Sequence, residues 1–207
     1  KDGQALTAAD LGTEVHRCLE QVVLTGFWPD DMHGEARPFC DQLDRWLNQF
    51  QPEWSASELT VFSPTYGYAG TCDGILTVDG VRCIVDLKTS RKARDAKGNP
   101  TTPYPEQVAL QLAAYRHAEL AAVWRARRHE VQRRRYYLLS EDEKAAAVPV
   151  PGVDTGLVLH VTPEHASAWP IDCGTDVHEA FLHAIECARW ALQTSQWVMG
   201  DPLTKGA

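Results

Sequence analysis

The sequence predicts an α/β domain with three layers, in which helices flank a central mixed β-sheet. Two observations predict it. Apolar β-rich runs are concentrated between residues 58 and 88 and again between 156 and 171, and helix-like patterns precede, separate and follow them. With 207 residues, 44% of them hydrophobic, the chain can bury one sizeable core. We therefore predict a single domain over residues 1–207, with a helical N-terminal part (1–50) and a sheet core with its flanking helices (51–207).

The first predicted helix runs from about Thr7 to Leu24. Thr7 is a suitable N-cap, because its hydroxyl can accept a hydrogen bond from the first turn of the helix. Apolar side chains recur at helical spacing and form one stripe for the core, made of Leu11, Val15, Cys18, Leu19 and Val22. A second, shorter helix is predicted from Phe39 to Phe50.

Three strands are predicted next, over residues 58–63, 70–78 and 81–88. Asp79 and Gly80 lie between the last two strands and are a strong signal for a two-residue hairpin turn. The turn fixes the register, so that paired positions add up to a constant. The cross-strand pairs expected from it are Thr77 with Arg82, Ile75 with Ile84 and Asp73 with Asp86.

The predicted hairpin has one apolar face and one face with charged groups at its end. Alternation along the strands gives the apolar face Leu76, Val78, Val81, Cys83, Val85 and Leu87. The other face carries Asp73, Ile75, Ile84, Asp86 and Lys88. Opposed like charges destabilise a ladder, so the two aspartates need either full solvation or a shared cation. Carboxylates suit Mg²⁺ or Mn²⁺, and the alternative is a solvated strand end in which Lys88 neutralises Asp86.

The second half of the chain continues the alternation of helices and strands. Residues 96–106 form a loop rich in Gly and Pro, long enough for a lid or for a loop that contacts substrate. A long helix is predicted from Glu106 to Arg127. Strand-like runs follow at 133–139, 156–162 and 167–171, and a closing helix is predicted from Asp176 to Gln196.

Polar side chains on two of the predicted helices are candidates for a site. Gln107, Gln111 and Tyr115 recur at i, i+4 spacing and so lie on one side of the long helix. Buried amides require partners, which are either protein backbone or a nucleic acid in a groove. His16 follows Gly12 by one turn at the edge of the apolar stripe. It is either an ordinary flank residue or a side chain directed at a neighbouring cavity.

The charge pattern leaves a nucleic-acid partner open. A net charge of −8 argues against non-specific coating of nucleic acid, but it does not exclude a local cationic groove. Basic residues cluster at 125–135 and directly after Lys88, where Arg91, Lys92 and Arg94 are candidates for phosphate binding. The alternative for such a run is a solvated charged face.

Other classes of protein and site are disfavoured by the sequence. It has no apolar run long enough to span a bilayer and no signal-peptide pattern, so we expect no membrane partner and a cytoplasmic location. The six cysteines include no C-x-x-C pair, which favours reduced thiols over a disulfide framework or a zinc site. The histidines of the run HEAFLH, His178 and His183, are five positions apart and cannot chelate one zinc ion from a helix.

Four short motifs follow one another between residues 12 and 115. They are Gly12-x-x-x-His16, Gly70-Thr71-Cys72-Asp73, Asp86-Leu87-Lys88-Thr89 and Gln111-Leu112-x-x-Tyr115. In residue types, order and approximate distances they resemble the RecB-like branch of the PD-(D/E)xK nuclease superfamily, which includes the CRISPR-associated exonucleases and phage relatives. The resemblance implies a restriction-endonuclease-like core and a nuclease that depends on Mg²⁺ or Mn²⁺.

The resemblance also implies a setting for that activity. The expected form is an exonuclease in DNA recombination, repair or phage DNA processing, in the cytoplasm of a bacterial or phage-infected cell. Its expected partner is DNA that is single-stranded or has free ends, with a recombination protein or a helicase as a candidate further partner. Many CRISPR-associated members bind an iron–sulfur cluster through four cysteines. The C-terminal cysteine triplet is absent here, so no iron–sulfur cluster is expected.

Individual roles follow from the same resemblance. The metal would be held by three side chains and one backbone carbonyl, those of His16, Asp73, Asp86 and Leu87. Lys88 would position the attacking water and stabilise developing charge. On the long helix, Gln111 and Tyr115 would organise the edge of the site that faces DNA, and Gln107 belongs to the same polar stripe.

The sequence leaves alternatives open for the role of Glu58 and for the function of the domain. Glu58, on the strand before the hairpin, is either a further metal ligand or a charge at a strand edge. A nuclease-like domain that binds DNA or a partner without cutting is the alternative function. Its usual mark would be the loss of an acid or of the lysine, and since Asp73, Asp86 and Lys88 are all present, the enzyme is favoured.

Overall fold

The computed structural model describes residues 5–103, 105–122, 146–198 and 200. Helix α1 (Ala8–Thr25) begins with the N-cap predicted from the sequence, Thr7. Thr7 Oγ1 accepts a hydrogen bond from Asp10 N at 3.1 Å, and Asp10 Oδ2 accepts one from Thr7 N at 3.4 Å. This reciprocal pair satisfies two backbone donors at the helix start. Gly26, with φ 77°, ends the helix in the left-handed conformation that glycine adopts without strain.

Helix α2 (Arg37–Phe50) packs beside α1 on one face of the sheet. Pro38 lies in its first turn, where a missing N–H leaves no helical bond unmade. The two helices and the sheet bury a continuous apolar cluster between them. Its larger members are Leu11, Val15, Leu19, Phe39, Leu43, Trp46, Leu76, Val85, Leu87, Leu157, Leu159 and Val161. The core stripe predicted for the first helix is therefore confirmed at Leu11, Val15, Cys18 and Leu19, which are all buried.

Seven strands form one mixed sheet in the order β5-β4-β1-β2-β3-β6-β7. Their bounds are β1 (Glu53–Ser63), β2 (Tyr68–Val78), β3 (Val81–Thr89), β4 (Leu120–Ala121), β5 (Val148–Pro149), β6 (Thr155–Val161) and β7 (Ala166–Ile171). Strands β3 and β6 pair in parallel, and the other neighbouring strands pair antiparallel. Parallel neighbouring strands need a long crossover connection. The segment between β3 and β6 includes a helix on the sheet face opposite to α1 and α2.

Helices α3 (Pro105–Arg116) and α4 (Thr175–Arg189) lie on the second face. The cluster beneath them contains Cys72, Ile75, Ile84, Val108, Leu112, Ala113, Val158 and Cys173. The chain therefore has helices on both sides of a mixed sheet, which is the three-layer α/β architecture that the sequence predicts. After α4 the helix continues as a π-helical turn (Trp190–Thr194) and a 3₁₀ turn (Ser195–Trp197).

Helix α3 is shorter than the helix predicted over residues 106–127. The chain turns after Arg116, and β4 then pairs antiparallel with β1. Glu119 anchors this turn, because its carboxylate accepts hydrogen bonds from Thr65 N and Ser63 Oγ, both at 3.0 Å. Contacts made far away in the sequence thus override a locally helical pattern. The strand-like run at 133–139 and the basic cluster at 125–135 lie outside the described residues.

The hairpin register predicted from Asp79 and Gly80 is confirmed from the turn back to Gly74 and Val85. The regular pairing ends there, so the expected direct pair of Asp73 with Asp86 is not formed. Strand β1 begins at Glu53, five residues earlier than predicted, and its register with β2 shifts between Trp54 and Ala56. No helix among the residues that the structure describes combines the length and hydropathy needed to cross a bilayer.

Candidate metal centre

The backbone of Leu87 contacts two other side chains of the candidate site, those of Asp73 and His16. Its N–H donates a short hydrogen bond to Asp73 Oδ2, and its carbonyl oxygen accepts one from His16 Nε2 at 3.0 Å. Leu87 lies just past the last regular pair of β2 with β3, where its polar groups are available to side chains. Helix α1 and strand β2 therefore both reach β3 at the backbone of this one residue.

His16 contacts an acceptor with each of its two ring nitrogens. Besides the bond to Leu87, its Nδ1 lies 3.0 Å from Asp73 Oδ1. A carbonyl and a carboxylate can only accept here, so both contacts are hydrogen bonds only when the imidazole carries both protons. Burial opposes that charge. The hydrogen bond from His16 to Asp73, the charge of Asp73 and those of Glu58 and Asp86 outweigh it and raise the pKa of His16.

Asp73 does not share a face with Asp86, contrary to the strict alternation expected along β2. Cys72 and Ile75 pack in the same cluster under α3, so the alternation breaks between them. Asp73 instead contacts α1 through His16. The cause lies at Gly74, where a Cβ atom would come within 2.6 Å of the Ala56 carbonyl oxygen and 2.7 Å of the Trp54 ring. This close approach of β1, which only glycine permits, marks the irregularity in the strand.

Asp86 is a buried carboxylate, with 3% of its surface exposed. Its Oδ1 accepts a hydrogen bond from Gln111 Nε2 at 2.8 Å. Lys88 Nζ lies 2.6 Å from Oδ2 and compensates its charge. Burial, together with the charge of Asp73, raises the pKa of Asp86 against the opposing effect of Lys88.

Gln111 and Tyr115 of α3 extend this network. Gln111 Nε2 donates to Tyr115 Oη at 2.9 Å, and Gln111 Oε1 accepts from Lys88 Nζ at 3.4 Å. Burial raises the pKa of Tyr115 to about 12, so its hydroxyl stays protonated at neutral pH. The Tyr115 ring packs so closely on Gly70 that a Cβ there would overlap it. Gln107, one turn earlier on the helix, is exposed.

Glu58 lies on β1 at the position across from Asp73, between the pairs Ser57–Gly74 and Leu59–Cys72. Its φ of 49° is in the left-handed region, which is uncommon for a residue with a side chain. Ligand-type atoms of His16, Glu58 and Asp73 all lie within 4.8 Å of one another. Burial, with a contribution from the charge of Asp73, raises the pKa of Glu58 to about 7. The sequence offered Glu58 only as an open candidate, because a left-handed residue inside a strand has no local signature.

These donors fit a divalent cation. Carboxylates, a backbone carbonyl and an imidazole are the ligand types that Mn²⁺ accepts, and Mg²⁺ uses the oxygen donors. The buried Asp86 Oδ2 lies 2.6 Å from the Lys88 ammonium, so a positive charge already compensates it in the protein without a metal ion. Three carboxylates outnumber the two basic side chains of the centre, Lys88 and His16. The residues that could hold the ion are His16, Glu58, Asp73, Asp86 and the Leu87 carbonyl.

The basic residues after Lys88 differ in the contacts that they make within the protein. Arg91 donates to Glu35 Oε2 at 2.8 Å and to the backbone carbonyl of Thr7 at 3.2 Å, which ties the loop to the start of α1. Arg94 donates to the carbonyl of Gly98 at 2.9 Å within its own loop. Lys92 is exposed. Phosphate binding by these residues stays a prediction, and for Arg91 it would require the loss of contacts within the protein.

His160 and Ser90 form a polar pair beside Lys88 that the sequence did not predict. In the parallel pairing of β3 with β6, Lys88 lies next to His160. His160 is fully buried, and its Nε2 lies 2.8 Å from Ser90 Oγ. Burial, with a smaller contribution from His165, lowers the pKa of His160. A histidine inside the apolar run GLVLHVT was the available signal.

Comparisons with known proteins give little to set beside this geometry. No family model matches the chain, and no curated protein matches it. Among solved structures, the crystal structure of SSO0001 is similar with a TM-score of 0.36 and 16% sequence identity, over 88% of this chain and 75% of that one. A likeness at this level carries no functional argument.

Proposed function

We propose that this protein is a metal-dependent nuclease that hydrolyses phosphodiester bonds in DNA. The observation that carries the proposal is the convergence on the backbone N–H and C=O of Leu87 of Asp73 from β2 and His16 from α1, directly between Asp86 and Lys88. Hard oxygen donors next to a positioned lysine suit hydrolysis of a phosphate ester. The four sequence motifs resembling RecB-like nucleases supply the residues of this one centre, which favours a nuclease over other uses of a metal.

A bound divalent cation would supply positive charge to the phosphodiester and lower the pKa of a water molecule. The chain's own residues orient the reactants. Gln111 holds Asp86 Oδ1, and together they fix Lys88 Nζ at one end of the site. From there the ammonium group donates a hydrogen bond to the attacking water or to the phosphate oxygen on which charge develops. Tyr115 in turn holds the amide of Gln111, so the lysine keeps its direction.

The finer parts of the proposal concern substrate and setting. We propose DNA with a free end as the substrate and an exonuclease of recombination, repair or phage DNA processing as the biological role, in a bacterial or phage-infected cell. Mg²⁺ or Mn²⁺ is the proposed cofactor, because the centre is rich in carboxylates and has no thiolate among its donors.

The test is cleavage of end-labelled linear and circular single-stranded DNA by the full chain, with Mg²⁺, with Mn²⁺ and with EDTA. We expect degradation of the linear substrate with either ion, none with EDTA and none by Asp86→Asn. For Lys88→Ala we expect a fall in rate of roughly 10²–10⁴. Cleavage of circles would replace exonuclease by endonuclease. Absence of cleavage on every substrate, or equal cleavage by Asp86→Asn, would reject the enzyme and favour a nuclease-like domain that binds DNA without cutting.

A further inference from the structure

The two helices on one face of the sheet carry a pair of cysteines where they pack together. We propose that Cys18 of α1 and Cys40 of α2 form a reversible redox site, in which a peroxide oxidises the two thiols to a disulfide that joins the helices. The site is separate from the candidate metal centre, and the inference does not rest on the proposed nuclease function.

The placement of the two sulfur atoms is suited to a disulfide. Cys18 lies on the core stripe of α1 and Cys40 on the buried face of α2, with 0% and 2% of their surfaces exposed. The thiol of Cys40 donates a hydrogen bond to the sulfur of Cys18. The sulfur atoms of a disulfide are about 2.05 Å apart. Two thiols that are already in hydrogen-bond contact need only a small further approach to form one.

A metal ion is a poorer explanation for this pair. A structural zinc site has four ligands, so two thiols need further donors beside them. The carboxylate of Glu14 lies 3.9 Å from Cys18 Sγ, but the same oxygen accepts a hydrogen bond from the backbone N–H of His33. In the described part of the chain, the one group of three donors close enough to share an ion belongs to the candidate metal centre. The remaining chemistry for the pair is between the two sulfur atoms.

A cavity gives a small oxidant access to the pair. Its volume is about 350 Å³, and Cys40 lies in its wall together with Trp28, Met32 and Asp44. Arg45, which is exposed, also lines it, so the cavity reaches the surface. A water molecule occupies about 30 Å³ in the liquid, and hydrogen peroxide is only slightly larger. Peroxide can therefore reach a cysteine that has almost no exposed surface.

The hydrogen bond between the thiols also favours the reaction. The bond from Cys40, opposed by burial, lowers the pKa of Cys18, and the same bond raises the pKa of Cys40. The pair therefore loses its first proton at Cys18 and keeps the second between the two sulfur atoms. When that proton passes to Cys18, the sulfur in the cavity wall becomes the thiolate, which is the reactive form.

The oxidation balances with peroxide as the only other reactant. The thiolate of Cys40 attacks one peroxide oxygen, the O–O bond breaks, and the departing hydroxide takes up a proton to become water. Cys40 is then a sulfenic acid. The sulfur of Cys18 attacks it, the S–O bond breaks, and the second hydroxide leaves as water with the proton of Cys18. Two electrons pass from the sulfur pair to the peroxide, and a dithiol reductant reverses the change.

The test follows thiols and their linkage in the full chain. Cys187 is exposed, so Cys187→Ser removes the cysteine that an oxidant reaches most easily. This variant has five cysteines, and we expect brief treatment with hydrogen peroxide, stopped with catalase, to leave three free thiols per chain. Dithiothreitol should restore all five. Digestion before aspartate separates Cys18 from Cys40, because Asp30 and Asp31 lie between them, and mass spectrometry should find the two peptides linked.

Two further substitutions in the Cys187→Ser chain give a matched comparison. Adding Cys40→Ala leaves four thiols, and peroxide should not remove a pair of them. Adding Cys83→Ala also leaves four thiols, and peroxide should reduce them to two. Cys83 is the matched control, because it is as buried as Cys40 and lies on β3 under the same helices. Thermal denaturation before oxidation shows whether each variant is folded.

Four results would overturn the redox site. They are five free thiols after peroxide, a loss that dithiothreitol does not reverse, a link between another pair of cysteines in place of Cys18 with Cys40, and the loss of two thiols in the chain with Cys40→Ala. The first three are measured on Cys187→Ser alone, so they do not depend on whether Cys40→Ala folds.

Discussion

His16 Nε2 and the carbonyl oxygen of Leu87 lie 3.0 Å apart, although 71 positions separate the two residues. The carbonyl only accepts, so the imidazole donates, and its other nitrogen faces Asp73 Oδ1. A proton therefore occupies the position between His16 and Leu87 that a cation would take. Because a histidine must be neutral at the nitrogen that binds a metal, cation binding and loss of this proton are linked.

This linkage predicts that Mn²⁺ binding releases protons and weakens as the pH falls. The pKa of His16 is raised, so in the metal-free protein the imidazole keeps its proton to a higher pH than an ordinary histidine does. Lowering the pH therefore favours the proton over the ion. Calorimetric titration at one pH in two buffers of different ionisation enthalpy measures the release. His16→Gln, which has no ring proton, should release fewer protons than the wild type. Equal release by both proteins would show that His16 does not exchange its proton for the ion.

Lys88→Ala and Asp86→Asn should separate chemistry from ion binding. Lys88→Ala keeps the carboxylates but removes the ammonium group that compensates the charge of the buried Asp86. It should therefore lower the melting temperature in EDTA. Added Mn²⁺ should then raise that temperature at least as much as in the wild type, while cleavage falls by roughly 10²–10⁴. Asp86→Asn should lose both the Mn²⁺-dependent rise and cleavage. A normal rise with Asp86→Asn would remove Asp86 from the ligand set.

The hairpin shows how far local sequence carries the prediction. The Asp79-Gly80 turn determines the pairs closest to it, so the register from Val78–Val81 to Ile75–Ile84 could be predicted. It fails at Asp73, because the break depends on the approach of β1 to Gly74, and nothing local announces that contact. The end of α3 fails for the same kind of reason. Residues 117–122 were predicted as helix, but the pairing of β4 with β1 determines their structure.

The candidate site could be predicted as a set of residue types and only partly as an arrangement. The resemblance predicts that His16 and Asp73 lie in one site, and His16 Nδ1 lies 3.0 Å from Asp73 Oδ1. Their role as metal ligands stays a prediction. The engagement of Arg91 with Glu35, 56 positions away, could not be foreseen, because it depends on how the loop lies against the start of α1. Glu58 was uncertain because its side-chain direction depends on a left-handed residue within a strand.

Gln111→Ala tests whether α3 supports the centre. The substitution removes the hydrogen bond to Asp86 Oδ1 and the contact with Tyr115 Oη. A hydrogen bond to a charged group contributes about 1.5–3 kcal/mol, so we expect a loss of that order in the free energy of unfolding. Gln107→Ala is the control on the same helix, and since Gln107 is exposed it should change stability by no more than about 0.5 kcal/mol. Denaturant titration of both variants measures the difference, and equal losses would contradict the support role.

Gly70→Ala should disturb the same network from the strand side. A Cβ at this position overlaps the Tyr115 ring, so the ring must move, and its hydroxyl is the group that accepts a hydrogen bond from Gln111. Overpacking of this kind costs about 1–3 kcal/mol, and DNA cleavage should fall with it. Gly152→Ala is the matched control, because a Cβ there meets nothing within 4 Å. Thermal denaturation and the nuclease assay check both variants. Unchanged stability and cleavage in Gly70→Ala would show that Tyr115 adapts without loss.

A last prediction concerns acid stability and lies away from the metal centre. His178 of α4 is buried, stacks on His117 with ring centroids 4.7 Å apart, and contacts Tyr68 Oη through Nε2 at 3.1 Å. Burial, followed by the charge of His117, lowers the pKa of His178, against the opposing charge of Glu179. In the unfolded chain histidine has a pKa of about 6.5, so the unfolded state binds the proton first.

Stability should therefore decrease as the pH falls through about 6.5, because protonation favours the unfolded state. We expect the melting temperature of the wild type in EDTA to fall more between pH 7.5 and pH 5.5 than that of His178→Gln. Each kcal/mol lost corresponds to about 2–4 °C in a protein of this size. His183→Gln is the control, since His183 is exposed on the same helix and should leave the pH dependence as in the wild type. The same fall in the wild type and in His178→Gln would assign the acid sensitivity to another group.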